Sequence, residues 1–326
     1  MKNLNAFMIG LFLLATQSAC AQDAATAWHS LDGYGENPGD LAAYVFVPET
    51  LVEGHSLVVA LHGCGQSAEE FAAQSGWNEL AKKHGFIVLY PEQQATNNIQ
   101  RCFNWFNAED IDHKSGEAAS IQHMLEFLQE KYRVKPAQTF VSGFSAGGAM
   151  TNVLLSVYPD LFAGGAPVAG IPYRAATDLG TALSAMQGGL DLQPQEWGDR
   201  VREQRASFTG VYPRILVLQG GADQIVQPKN AGEIVEQWAN LHGMDAADLA
   251  RVDLEPLVGF PQVSALSLGP DQQQPLVSYY QITAMEHAYP VDPGDEEAEG
   301  GTAAPFAADV DWHATYWIAK WLGVID

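Results

Sequence analysis

The chain has 326 residues, 47% of them hydrophobic and 17% charged, the balance of a soluble globular protein with a sizeable core. Its 39 acidic and 16 basic side chains leave a formal net charge of -23, and no basic cluster interrupts the excess. A surface of this sign repels phosphate backbones, which argues against a nucleic-acid partner.

The chain opens as an export signal. Lys2 is followed by the apolar run from Ala6 to Ala15 and then by small residues, a run too short to span a bilayer. Ala19-Cys20-Ala21 fits a cleavage site, so residues 1–21 read as a signal peptide and Gln22 as the mature N-terminus. A lipid anchor on Cys20 is the weaker alternative, because Gln17 stands where such signals carry leucine. The expected location is secreted or periplasmic. No later stretch is long and apolar enough to be a transmembrane segment, and a monomer is expected. Cys64 and Cys102 remain after processing, and in an oxidising compartment they are expected to pair.

Strand-like and helix-like segments then alternate. Leu41 to Val47, Ser56 to Leu61 and Phe86 to Tyr90 read as strands, the last stopped by Pro91, with helical spacing between Glu69 and His84. Glu117 to Tyr132 is an amphipathic helix with Ile121, Met124, Leu125 and Leu128 on one face. A short strand, Thr139 to Val141, runs into Gly143-Phe144-Ser145-Ala146-Gly147, and a helix from about Gly148 to Tyr158 follows. Ile215 to Leu218 and Val277 to Ile282 complete the strands; Ala231 to Leu241 and Trp312 to Leu322 complete the helices. This alternation predicts a mostly parallel sheet covered by helices on both faces. With no linker and no repeat, residues 22–326 read as a single domain. Two stretches break the pattern: 171–213, read as a lid or pocket wall, and 291–308, read as a mobile surface loop.

Gly-x-Ser-x-Gly between a strand and a helix is the pattern of a nucleophile elbow, in which a tight turn lifts the serine hydroxyl above the sheet. Ser145 is therefore the candidate nucleophile, and the fold is expected to be that of the α/β-hydrolases. A serine hydroxyl needs a base, and in this fold the order along the chain is serine, acid, histidine. Asp223 follows the Ile215 to Leu218 strand in Gly220-Gly221-Ala222-Asp223, and His287 follows the last strand in Ala284-Met285-Glu286-His287. The amides of Ala146 and of Cys64, in Leu61-His62-Gly63-Cys64-Gly65-Gln66, are the expected oxyanion donors. Trp105, Tyr173, Trp197 and Tyr289 are candidates for a substrate pocket. No closely spaced His, Cys and carboxylate ligands suggest a metal, and no cofactor is called for.

Taken together, Leu61 to Ser67, Arg101-Cys102-Phe103-Asn104-Trp105-Phe106, Gly143 to Met150 and Tyr158 to Gly165 resemble the polyhydroxybutyrate (PHB) depolymerase family of esterases. That family is related to feruloyl and acetylxylan esterases of the first carbohydrate-esterase group. The resemblance covers nearly all of the mature chain and implies a serine carboxylic-ester hydrolase with Ser145, Asp223 and His287 as its triad. Secreted depolymerases of this kind often add a linker and a polymer-binding module, and the sequence carries neither. The implied substrate is a short-chain polyhydroxyalkanoate or its oligomers, with feruloylated or acetylated plant polysaccharide as the alternative. A non-catalytic envelope binding protein is disfavoured, because every component of the chemistry is present.

Overall fold

A computed structural model describes residues 27–251, 259–271 and 274–326. The export signal read from residues 1–21, with Cys20, lies outside the described residues.

The strands of the main sheet are β1 (Trp28–Ser30), β2 (Ala42–Phe46), β3 (Leu57–Leu61), β4 (Ile87–Glu92), β5 (Thr139–Phe144), β6 (Gly164–Val168), β7 (Arg214–Gly220), β8 (Ala250–Arg251), β9 (Val263–Leu268) and β10 (Val277–Ile282). They lie in the order β1-β2-β4-β3-β5-β6-β7-β10-β9-β8. The central six, from β4 to β10, are mutually parallel, and an antiparallel pair closes each edge. A second, two-stranded parallel sheet joins β11 (Tyr289–Val291) to β12 (Ala307–Asp309).

Side chains alternate across a strand, so one buried strand feeds two cores. In β3, Leu57, Val59 and Leu61 enter one cluster while Val58 and Ala60 enter the other. The first cluster is covered by α4 (Gly116–Tyr132), α5 (Ala146–Val157) and α8 (Lys229–Leu241), through Ile121, Met124, Met150, Val153, Ile234 and Trp238. The second is covered by α1 (Ala68–Ser75), α2 (Trp77–His84) and α9 (Ala314–Leu322), through Phe71, Trp77, Leu80, Ile318 and Leu322. Two covered faces explain why the central strands are unbroken apolar runs rather than alternating ones.

Several expectations needed correction. The helical stretch before His84 is two helices, divided at Gly76, whose φ of 74° is left-handed and whose missing Cβ leaves room for the Gly301 amide. Pro91 does not stop β4; it pairs with Ala43 on the antiparallel side. Strands β1, β6, β8, β9, β11 and β12 have no counterpart among the expected strands, and Val277 to Ile282 is not the last. The segment 291–308 is tied down rather than loose: it joins β11 to β12, and the Thr302 amide donates to the Gln74 carbonyl at 3.0 Å. Within 171–213 the chain forms α6 (Leu179–Met186) and α7 (Pro194–Arg202).

Candidate active site

The site lies beyond the carboxyl ends of the parallel strands. Ser145 sits between β5 and α5 at φ 55° and ψ -116°, a strained conformation for a side-chain-bearing residue. The flanking glycines make the turn sterically possible. A Cβ on Gly143 would collide with the Gly147 carbonyl, and one on Gly147 with the Leu61 carbonyl. The Ser145 amide donates to the Val168 carbonyl at 2.9 Å, which fixes the turn against β6.

Asp223 and His287 arrive on loops after β7 and β10. Gly220 and Gly221 let these loops touch, because a Cβ on either would strike the backbone at Met285 or Thr283. The Ala222 amide donates to the Met285 carbonyl at 3.0 Å. His287 Nε2 then lies 2.9 Å from Ser145 Oγ, and His287 Nδ1 lies 2.7 Å from Asp223 Oδ2. Asp223 is fully buried, and its Oδ1 accepts from the Ile225 and Val226 amides, both at 2.9 Å. Gln219 Nε2 donates to Asp223 Oδ2 at 3.1 Å, and the Phe144 ring packs 5.0 Å from the His287 ring. The carboxylate is thus held by donors on every side, and the imidazole has one nitrogen on the acid and the other on the hydroxyl. Such an arrangement can draw a proton from the serine and stabilise the resulting imidazolium.

Cys64 and Cys102 are joined by a disulfide. The turn around Cys64 is held by three further bonds: Gly63 N–H to Gln66 Oε1 at 2.7 Å, Gln66 N–H to the Gly63 carbonyl at 3.3 Å, and Gly65 N–H to the Gln100 carbonyl at 2.7 Å. Among the described residues neither the Cys64 amide nor the Ala146 amide has an acceptor. Both residues border the cavity that opens beside Ser145, so both N–H groups are available to a developing oxyanion.

That cavity measures about 610 Å³ and is mostly apolar. Trp105 and Phe106 line one wall, while Leu179, Ala182, Leu183 and Met186 of α6 line another. A second, more open cavity of about 600 Å³ lies against His287, with Ile225, Met285, Phe306 and Val310 in its wall. Of the predicted pocket residues, only Trp105 lines either cavity. Tyr173, Trp197 and Tyr289 are buried in the core: their polar atoms bond to the Ile111 carbonyl, to Glu233 and to Thr315. Their burial follows from apolar bulk beside helices that need covering. The apolar spacing of Leu179, Ala182, Leu183 and Met186, one helical face, was the signal in the sequence for the real wall. The carboxylates of Asp292, Asp309 and Asp311 gather within 4.8 Å of one another, which sequence spacing did not suggest.

Beneath the cavity lies a polar network that sequence reasoning missed. His62, pushed down to about 4 mainly by burial, remains neutral and accepts the Gln93 amide at Nε2. Glu117, fully enclosed at the start of α4, is pushed up to about 8, first by burial and then by nearby Asp110.

The mostly parallel sheet with helices on both faces, and the strand-turn-helix at Ser145, define the α/β-hydrolase fold. The acetyl xylan esterase from Aspergillus awamori superposes on 92% of this chain and all of its own with a TM-score of 0.76, at 22% identity, a likeness of fold. The family described as esterase PHB depolymerase matches residues 40–256, and the chain belongs to that family. It is 39% identical over 316 residues to poly(3-hydroxyalkanoate) depolymerase C of Paucimonas lemoignei, a match spanning 97% of this chain and 74% of the relative. Feruloyl esterase B of Talaromyces stipitatus is 33% identical over 221 residues, 66% of this chain and 61% of that one. No helix among the described residues is long and apolar enough to cross a membrane.

Proposed function

We propose that this esterase hydrolyses short-chain polyhydroxyalkanoates or their oligomers, with Ser145 as nucleophile, His287 as general base and Asp223 as the acid that orients it. The observation that carries the reading is the hydrogen-bonded series Asp223–His287–Ser145, with a mostly apolar cavity beside Ser145 and a second, mixed one against His287. His287 Nε2 takes the Ser145 proton as Oγ attacks the ester carbonyl, and the amides of Cys64 and Ala146 receive the oxyanion. His287 then passes the proton to the leaving alkoxide, and water repeats the sequence on the acyl-enzyme. No step calls for a metal or an organic cofactor.

The surroundings favour an extended apolar polyester. Ile99, Leu179 and Leu183 stand exposed on the rim of the first cavity, and Ile225 and Phe306 on the rim of the second; Ile99 is 90% exposed. Isolated exposed hydrophobes are ordinary, but a group of them on the rims of the two cavities that flank the site marks a surface meant to be covered. The 39% identity to a poly(3-hydroxyalkanoate) depolymerase along nearly the whole chain supports the same substrate class. Residues 1–21 are read as a cleaved export signal, in keeping with the Cys64–Cys102 bridge, and 22–326 as one catalytic domain. In it the 171–213 segment supplies the α6 wall of the cavity.

Parallel assays on a soluble 3-hydroxybutyrate oligomer and on methyl ferulate test the substrate. Preference for the oligomer is expected. Preference for ferulate would move the function to de-esterification of plant cell walls, leaving the roles of Ser145, His287 and Asp223 in place.

A further inference from the structure

Glu117 has no part in the ester chemistry, yet it is the most heavily bonded buried carboxylate outside Asp223. Its Oε1 accepts from Gln93 Nε2, from Asn104 Nδ2 at 2.7 Å and from Asn97 Nδ2 at 3.3 Å; its Oε2 accepts from the Asn104 amide at 2.8 Å. All these donors belong to one segment, residues 93–104, which is folded around the carboxylate. No cation pairs with Glu117 among the described residues; the charged group facing it is Asp110, from the short helix α3 (Ala108–Ile111). The 93–104 segment presents only neutral amides to it. Burying a carboxylate without a cation is unfavourable, and a neutral side chain packed there would avoid that penalty. Scaffolding alone therefore does not account for an ionisable group here.

The segment it gathers is also the clamp on the candidate oxyanion loop. Cys102 is bonded covalently to Cys64, the Gln100 carbonyl accepts the Gly65 amide, and the Gln93 amide donates to His62. Gln93 Nε2 additionally donates to the Cys102 carbonyl at 3.0 Å. The same segment carries Asn98, Ile99 and Gln100 into the wall of the cavity beside Ser145. We propose that Glu117 is a positioning residue, whose ionised carboxylate sets the 93–104 segment and, through it, the Cys64 amide that receives the oxyanion. The inference rests on the reading of Cys64 and Ala146 as oxyanion donors.

The chemistry is specific to the anion. Two carboxylate oxygens can accept four N–H donors, whereas a protonated carboxyl or a glutamine amide turns one of its two heavy atoms into a donor facing donors. Neutralising the group forces part of the segment to move. An amide that meets charge only in the transition state is sensitive to such displacement in kcat rather than in KM. Because burial and Asp110 push Glu117 up to about 8, activity gains a rise as pH passes through that region.

The test is kcat and KM for p-nitrophenyl butyrate from about pH 6 to 10 in the wild-type chain, E117Q, E117D and N104A. In E117Q, kcat is expected to fall about tenfold at alkaline pH with KM little changed, and the rise near 8 to disappear. E117D keeps the rise. N104A, which removes one donor to the anion and leaves the carboxylate, moves the rise to higher pH and decides the matter if E117Q fails to fold. A wild-type profile in E117Q, or an unmoved rise in N104A, overturns the proposal. Ser145→Ala separates the two readings: its inactivity beside an unchanged E117Q profile sinks the positioning role alone, whereas its retained activity sinks both.

Discussion

Two turns face each other across the candidate site and are built on opposite principles. The Ser145 elbow is fixed by backbone against backbone: glycines at 143 and 147 stand where no Cβ fits, and the serine amide is bonded to β6. The 93–104 segment opposite is fixed by side chains, with four amide donors folded around one carboxylate and a disulfide at its end. The first kind of turn tolerates almost no change at its glycines but is indifferent to pH. The second tolerates shape changes but depends on charge and redox state.

That contrast can be broken in order of expected effect. Ser145→Ala should lower kcat/KM on p-nitrophenyl butyrate by about 10⁵-fold or more, with the thermal midpoint nearly unchanged; substantial residual activity would refute the assigned nucleophile. Gly147→Ala should abolish measurable turnover and cost about 3 kcal/mol or more of stability by denaturant titration, because the new methyl meets the Leu61 carbonyl. Reducing the Cys64–Cys102 bridge should cost roughly 3–4 kcal/mol on a chain-entropy view and lower kcat, while leaving the elbow intact. A count of two free thiols in the native mature protein would contradict the bridge.

Smaller effects sharpen the comparison. Leu183→Ser together with Ile99→Ser should slow erosion of a polyester film several-fold while barely altering a soluble ester, since both side chains are on the rim. Glu117 supplies a pH signature in stability as well. Its pKa is raised from 4.5 to about 8, so between these values the folded chain holds a proton that the unfolded chain has released. Stability from this group is complete below the unfolded value and falls as pH rises through the window, opposite in sign to the gain in activity. Denaturant titrations of E117Q across that window should show the slope reduced.

The same contrast explains what could be read from sequence. Gly-x-Ser-x-Gly was legible because backbone crowding selects glycine at fixed spacing, and Asp223 and His287 because parallel strands deliver their loops to one edge. The network around Glu117 was not legible: amides meeting a carboxylate from 24 or 13 residues away leave no periodic mark. Strand β6, Gly164-Gly165-Ala166-Pro167-Val168, reads locally as a turn. It is a strand because its neighbours require it, since a Cβ on Gly165 would stand 2.7 Å from the Val141 carbonyl and 2.8 Å from Leu155 Cδ1. Tyr173, Trp197 and Tyr289 misled for the reverse reason: large aromatics fill cores at least as readily as pockets.

Ser145 and His287 share a hydrogen bond across 142 residues of chain. At about 5–20 residues per second, synthesis delivers the serine roughly 7–30 s before the histidine proposed to activate it. Strand β10 then has to dock on β7 before the imidazole reaches the hydroxyl, and such non-local parallel pairing is slow to form. On the proposed roles, a nascent or truncated chain holds a nucleophile without a base and is expected to turn nothing over. Recovered hydrolysis during refolding times the last long-range step, a clock that tryptophan fluorescence, fed by cores on both faces, does not keep.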